Sequence, residues 1–311
     1  MELIKALILG IVQGATEFLP VSSSGHLVLG SHILGFSEQG IVFGVLLHLG
    51  TLVSVVAVFR KELFEMIRAP LWWILGKLEE DGRHYLLWDL YVVVATIPIV
   101  ISALMFKEQI QGLFTSVTVV CFMLIVTGLM MSTARFIPDR GLWVNSPRAF
   151  LIGCGQAFAI IPGVSRSGTT IFIAMLLGIN RETAARFSFI MSIPAILGAA
   201  VLNLGEVIAD PPTAEEMIVY GTGTVAAAIT GANVSGSTNS MYSRLRFGVY
   251  GQLMVTRVPS IGSRTTVSPE ITMALSVILT VLLPIPGRPP VDRPPPIATQ
   301  ELLNISLGAR A

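Results

Sequence analysis

Charged residues are scarce in this chain of 311 residues, since Asp, Glu, Lys and Arg together make up only 13% of it. A typical soluble domain carries about twice that share. Here 53% of the residues are apolar and the mean hydropathy is +0.75. This composition excludes an ordinary soluble protein and favours one embedded in lipid. The net charge is only +1 and the basic residues form no patch, so nucleic acid is not an expected partner.

Cysteine is equally rare. Cys121 and Cys154 both lie in apolar runs, without Cys-x-x-Cys or Cys/His spacing. A disulfide framework and a zinc site are therefore excluded as organising features, and both residues are interpreted as packing residues.

Two stretches of the chain are copies of each other. Gly10 to Gly35 aligns with Gly153 to Gly178 without a gap, at a constant offset of 143 residues. Each copy holds a polar break, containing Gly and Pro, between two short apolar stretches. In membrane proteins, repeated and broken half-helices mark a site at the interface of two related halves. The identical pairs are Gly10/Gly153, Gln13/Gln156, Val21/Val164, Ser22/Ser165, Ser24/Ser167, Gly25/Gly168, Leu34/Leu177 and Gly35/Gly178.

The apolar segments predict an all-α integral membrane protein built from two inverted-topology repeats, residues 1–142 and 143–231. Each repeat begins with a re-entrant half-helix pair, because its first apolar stretch is too short to span and polar backbone at membrane depth must line a cavity. The predicted re-entrant pairs are 1–35 and 149–178, and the predicted spanning helices are 41–59, 86–106, 115–132, 184–204 and 217–231.

Loop charges predict the orientation of the chain in the cell membrane. The loops 60–83 and 135–148 are rich in Lys and Arg and are expected in the cytoplasm, whereas 205–216 has four acidic residues and no basic one. Three spanning segments separate the two copies, and an odd number inverts the second copy. The two breaks should therefore meet near the midplane, in a cavity that opens to the outer face.

The chemistry of the two breaks indicates an anion site. Ser at a helix N-cap, free backbone N–H groups and the helix dipole attract phosphate. Arg166 adds a group that grips an oxyanion with two hydrogen bonds. A phosphate or diphosphate pocket is therefore predicted, with these binding residues: Ser24, Gly25, Gly163, Ser165, Arg166 and Ser167.

Three further side chains in the first break suggest a reaction. Gln13 and Glu17 are four residues apart on one helix face and offer oxygen ligands for Mg²⁺ or Ca²⁺, which often take the remaining ligands from a phosphate substrate. His26, one turn into the following helix, is a candidate general acid, general base or nucleophile in phosphoryl transfer.

Both breaks closely resemble the two motifs of the undecaprenyl-diphosphate phosphatase, or bacitracin-resistance, family of membrane enzymes. The resemblance rests on the runs Gln13 to His26 and Pro162 to Thr170, and it extends over about Met1 to Gly231. It implies hydrolysis of a C55 polyprenyl diphosphate, a membrane lipid, to the monophosphate and inorganic phosphate, which recycles a carrier for cell-wall glycans. By position, the family's metal-linked residues fall on Gln13 and Glu17, its Ser and His candidates on Ser22, Ser23 and His26, and its phosphate-binding residues on Ser165, Arg166 and Thr170.

Alternatives remain open at this stage. A transporter or flippase for a lipid phosphate or small anion would also use inverted repeats with broken helices, although it would have no evident use for Glu17, Gln13 and His26. The nucleophile can be Ser23, His26 or a water molecule, and a homodimer is one compatible oligomeric state. His48 has two interpretations, as a residue that lines the cavity or as a packing residue, and packing is favoured.

The end of the chain departs from this pattern. From Ala232 the sequence turns to Ser, Thr, Asn and Arg, and residues 286–296 are rich in proline, which is typical of a disordered tail. The abrupt change at Gly231 predicts a frameshifted, or truncated and extended, gene; the alternative is a divergent soluble tail.

Overall fold

The structure, a computed structural model, describes residues 1–36, 41–77 and 80–242. Helices are the only extended regular elements in these described ranges, which confirms the all-α fold class. The helices are α1 (Glu2–Thr16), α2 (Ser23–Leu34), α3 (Ile41–Val58), α4 (Arg60–Ile74), α5 (Glu80–Met105), α6 (Lys107–Phe114), α7 (Val117–Ala134), α8 (Ser146–Phe158), α9 (Arg166–Leu176), α10 (Arg181–Ala209) and α11 (Ala214–Tyr242).

Within the described residues, four helices are long and apolar enough to cross a membrane, which makes the chain a multi-pass membrane protein. A fifth span is formed if α3 and α4 count as one, although the pair bends by 81° at its break. The spans lie close to the segments predicted from the sequence and are Gly82–Met105, Val117–Ala134, Arg181–Ala209 and Ala214–Ser235.

The two copied stretches each form a pair of short helices with a polar break between them. In the first copy α1 ends at Thr16 and α2 begins at Ser23; in the second, α8 ends at Phe158 and α9 begins at Arg166. Asn145 caps α8, since its side chain accepts a hydrogen bond from Arg148 N. Both predicted polar breaks are thus real interruptions of the helices.

Two expectations, one about the loop after the first span and one about the chain end, were wrong. The loop predicted at 60–83 contains α4, and α6 lies between two predicted spans; both are short amphipathic helices without the continuous apolar run of a span. The helix predicted to end at Gly231 instead continues as α11 to Tyr242, and small and hydroxyl-bearing residues are common in membrane helices. The predicted frameshifted and proline-rich region otherwise lies outside the described residues.

The first helix of each copy packs against a spanning helix at an equivalent glycine. A Cβ atom on Gly10 would overlap the backbone oxygen of Gly223 in α11. A Cβ atom on Gly153, the copy of Gly10, would overlap the backbone oxygen of Ala95 in α5. Small residues at helix contacts allow such close backbone approach in membranes. Each copy therefore uses the same position to reach a helix of the other repeat.

We expect Gly10→Ala and Gly153→Ala each to destabilise the protein by about 1–3 kcal/mol, because the added methyl group must push two backbones apart. The measurement is the thermal unfolding midpoint of the detergent-solubilised protein. Gly198→Ala is the matched control, since its Cβ would meet no atom within 4 Å. If Gly10→Ala unfolded at the same temperature as Gly198→Ala, the close helix contact would be incorrect.

Candidate active site

Glu17 lies at the centre of the site, directly after the last residue of α1. Its Oε1 atom forms an ion pair with Nη2 of Arg166 from the second copy. Its Oε2 atom accepts hydrogen bonds from Ser23 Oγ at 2.6 Å and from Gln13 Nε2 at 2.9 Å. The carboxylate side chain is only 8% exposed, so these partners supply most of its charge compensation.

Serine N-caps at the start of α2 and α9 form the two predicted anion cradles. Ser22 Oγ accepts from Gly25 N at 3.2 Å, and Ser165 Oγ accepts from Gly168 N at 3.1 Å. In each cradle a second serine hydroxyl lies close to the cap, with Ser22 to Ser24 at 3.3 Å and Ser165 to Ser167 at 3.5 Å. The first N–H groups of both helices have no intrahelical acceptor and can bind an anion.

The two cradles touch each other through equivalent positions. A Cβ atom on Gly25 would lie 3.0 Å from Gly163 Cα, and one on Gly168 would lie 3.3 Å from Pro20 Cβ. Gly168 is the copy of Gly25, and Gly163 occupies the position of Pro20. The same offset relates Arg166 to Ser23, and both donate to Glu17. The contact between the copies is therefore nearly reciprocal, while the side chains on the two sides differ.

His26 lies one turn into α2, as predicted, and is 7% exposed. Its Nδ1 atom is 2.8 Å from the Ser22 carbonyl oxygen. Because a carbonyl only accepts hydrogen bonds, Nδ1 carries the proton and Nε2 of a neutral ring has a free lone pair. The ring can therefore accept or shuttle a proton at Nε2.

Thr170 forms hydrogen bonds that hold the start of α9, where the second cradle lies. Its hydroxyl donates to Arg166 O at 2.9 Å and lies 2.6 Å from Ser188 Oγ in α10. This hydroxyl connects the start of α9 to a spanning helix and so helps to place Arg166. Ser188 lies within the range Met1 to Gly231 to which the resemblance extends, although nothing in the sequence singles out its contact with Thr170.

Thr127 in α7 is a residue that sequence reasoning missed. Its hydroxyl donates to Gly163 O at 2.8 Å and accepts from Ser165 N at 3.1 Å. A single side chain thus satisfies both backbone groups that flank Val164 in the second break, where Gly163 has a φ of 93°. An isolated threonine in an apolar span gives no signal of this role.

His48 in α3 is a residue for which packing was favoured and a place in the cavity wall was the alternative. Its Nε2 atom lies 3.6 Å from Glu17 Oε2, and its side chain is 27% exposed. This contact favours the alternative, since the ring faces the central carboxylate. The sequence could not show this contact, as nothing in the spacing of positions 17 and 48 places α3 beside the first break.

The fold and the site together define a class: a multi-pass helical membrane protein with a carboxylate, an arginine and two helix N-termini gathered in one buried polar cluster. The chain belongs to the family of the bacitracin resistance protein BacA, which it matches over residues 6–256. The match runs past Gly231, where the resemblance was expected to end.

Curated relatives include undecaprenyl-diphosphatases from several bacteria. The protein from Christiangramia forsetii is 40% identical over 74% of this chain and 86% of its own length. That from Rubrobacter xylanophilus is 42% identical over 74% of this chain and 86% of its own length. A third, from Desulfosudis oleivorans, is 45% identical over 65% of this chain and 77% of its own length.

Proposed function

We propose that this chain is a membrane phosphatase that hydrolyses undecaprenyl diphosphate, or a similar polyprenyl diphosphate, to the monophosphate and inorganic phosphate. The observation that carries the proposal is the Glu17 and Arg166 pair, placed where two serine-capped helix starts meet. Membership of the BacA family and the names of the relatives agree with it. Such hydrolysis regenerates a lipid carrier for cell-wall glycans, which accords with bacitracin resistance.

Arg166 and the helix starts bind the diphosphate. One guanidinium nitrogen, Nη2, is used by Glu17. A guanidinium has five N–H donors, so others are available for phosphate oxygens. The N–H groups at the starts of α2 and α9 add donors from both sides. Together they stabilise the negative charge that moves between oxygens during phosphoryl transfer.

Ser23 is the nucleophile that the contacts favour. Its hydroxyl donates to Glu17 Oε2 at 2.6 Å, a typical contact between a nucleophile and its base. In the first step Ser23 Oγ bonds to the terminal phosphorus, the bridging P–O bond breaks, and polyprenyl monophosphate leaves with that oxygen. The hydroxyl proton passes to Glu17. Water then cleaves the phosphoserine and releases inorganic phosphate, with His26 Nε2 available to accept the proton of the water.

A divalent cation fits beside Glu17 and Gln13. Gln13 is fully buried and its Oε1 atom has no hydrogen-bond partner. A half-turn of the amide would exchange its oxygen and nitrogen. The oxygen would then lie at the 2.9 Å position of Nε2 from Glu17 Oε2, which is about the separation of neighbouring ligands around Mg²⁺ with bonds of about 2.1 Å. Bound there, a cation would neutralise charge on the diphosphate oxygens.

Substrate and water would complete the cation's shell. Among the residues that the structure describes, no three His, Cys, Asp or Glu side chains form a group able to hold a metal. Mg²⁺ and Ca²⁺ commonly take one or two carboxylates from the protein and further oxygens from a phosphate substrate. The proposed cation is therefore one that binds together with the diphosphate.

Release of inorganic phosphate from a long-chain polyprenyl diphosphate by the purified chain tests the activity. We expect turnover with Mg²⁺ or Ca²⁺, loss of turnover in excess chelator, and recovery when the cation is restored. Full turnover in chelator would reject the cation but leave the phosphatase. Transbilayer movement of a labelled lipid phosphate in vesicles, without any phosphate release, would instead identify the transporter alternative.

We also propose that the two copies are inverted repeats and that the site opens to the outer face of the cell membrane. The reciprocal contacts of the two breaks support the relation between the copies, and the basic loops 60–83 and 135–148 support the orientation. In a chain whose Cys121 and Cys154 are replaced, we expect a cysteine at Ala209 to react with an impermeant thiol reagent in intact cells. One at Ser146 should react only after lysis. The opposite pattern would place the opening in the cytoplasm.

A further inference from the structure

His48 and Glu17 face each other without a direct hydrogen bond. Nε2 of His48 and Oε2 of Glu17 are 3.6 Å apart, beyond the range of a hydrogen bond. Two ligands about 2.2 Å from one ion are separated by about 3.1 Å at a right angle and about 3.6 Å at the tetrahedral angle. The distance between Nε2 and Oε2 thus matches that of two ligands at the tetrahedral angle around one cation.

The second ring nitrogen of His48 determines which tautomer the neutral ring adopts. Nδ1 lies 2.8 Å from the Gly44 carbonyl oxygen, and this contact requires the proton on Nδ1. Nε2 of the neutral ring then directs a lone pair toward the carboxylate. A metal-binding histidine commonly donates its other N–H to a backbone carbonyl in this way, which fixes both the tautomer and the orientation of the ring.

The helix that carries His48 is firmly positioned by α11. A Cβ atom on Gly50, two residues after His48, would overlap the backbone oxygen of Thr224. One turn further, Ser54 Oγ donates to Ala228 O at 2.9 Å. Since α1 also packs on α11 through Gly10 and Gly223, the same helix sets the positions of both His48 and Glu17. The alignment of Nε2 with the carboxylate is thus built into the packing.

We propose that His48 Nε2 is a nitrogen ligand of the cation held by Glu17 and Gln13. This inference rests on the cation site proposed above. It changes the expected metal preference, because imidazole favours Mn²⁺, Co²⁺ or Zn²⁺ over Mg²⁺ and Ca²⁺, which prefer oxygen ligands alone. The site would thus have one nitrogen and two oxygen ligands from the protein, and the diphosphate would occupy the remaining positions.

Electron spin-echo spectroscopy of Mn²⁺ bound to the full chain in lipid nanodiscs tests the ligand directly. We expect a directly bound ¹⁴N nucleus in the unmodified protein, and its replacement by the ¹⁵N pattern after labelling of histidine. In His48→Gln the nitrogen signal should vanish. The dissociation constant for Mn²⁺ should rise about tenfold or more, since loss of even an outer-shell partner costs about 10- to 100-fold.

Control variants separate this inference from the cation site itself. Glu17→Gln should lose the bound Mn²⁺, whereas His84→Gln, with its ring packed on Tyr85 and Trp88, should keep both the ion and the nitrogen signal. Two outcomes would reject the role of His48 and retain the cation site. In the first, Mn²⁺ binding depends on Glu17 but gives no nitrogen signal. In the second, the nitrogen signal is lost only in His26→Gln. Absence of any Glu17-dependent Mn²⁺ would reject both. Phosphate release measured alongside reports on the phosphatase separately.

Discussion

Glu17→Gln is expected to lower the turnover of a polyprenyl diphosphate by about 10³-fold or more. The substitution removes the partner of Arg166, weakens the acceptor for the Ser23 proton and removes a charged cation ligand. All three roles belong to the one carboxylate of Glu17. Loss of a single electrostatic contact to a transition state costs about 10²–10³-fold in comparable sites. The rate of phosphate release under saturating substrate measures the effect.

The control for this substitution is Glu65→Gln. Glu65 is also paired with an arginine, Arg68, but both side chains are more than a third exposed, and such pairs contribute little. This variant should retain nearly all of its turnover. A Glu17→Gln protein that is folded, judged by its unfolding midpoint, and still turns over at close to the unmodified rate would remove Glu17 from the reaction.

Arg166→Lys is expected to raise the Michaelis constant and to lower turnover by about 10²-fold. Lysine keeps the positive charge beside Glu17 but lacks the planar set of donors that can bind the carboxylate and a phosphate at the same time. Arg166→Ala should be more severe, because it also leaves the buried Glu17 carboxylate without its guanidinium partner. Loss of such a partner typically costs about 3–5 kcal/mol of stability. Steady-state kinetics and thermal unfolding separate the two effects.

Arg186→Lys is the matched comparison for the arginine. Arg186 lies near Glu62 and Glu182 with 45% of its side chain exposed, so exchange for lysine should leave both kinetic constants nearly unchanged. Unaltered kinetics in Arg166→Lys would mean that Arg166 acts only as the structural partner of Glu17, and that the diphosphate binds elsewhere.

The part of the site that lies in the two copied stretches could be predicted from the sequence. Gln13, Glu17 and Ser23 cluster because they flank one break. Arg166 joins them because the copies meet, which the repeat itself suggested. His48 and Thr127 could not be found this way, since each is a single polar residue in a spanning helix. Their importance depends on which helices become neighbours in space, and local spacing carries no such information.

The chain connections were harder to predict than the spans. A span must be apolar along its whole length, so its composition alone identifies it. The connecting helices α4 and α6 carry both charged and apolar residues, a pattern shared with irregular loops. The end of α11 was misjudged for a related reason, because Ser, Thr and Gly resemble a loop in sequence but pack well between helices.

The unequal copies also determine how many reactions one chain can carry out. Ser23 and Arg166 occupy equivalent positions and bind opposite oxygens of the same carboxylate, while the position equivalent to Glu17 in the second copy is Ile160. The near-symmetry therefore produces one reaction centre per polypeptide instead of two. Neither half holds the full set of groups. Two copies of the first half would place two carboxylates and no arginine at the site, and two copies of the second half would place two arginines and no carboxylate there. In the proposed mechanism the reacting groups lie at the junction between the copies, so neither half alone would be sufficient for catalysis.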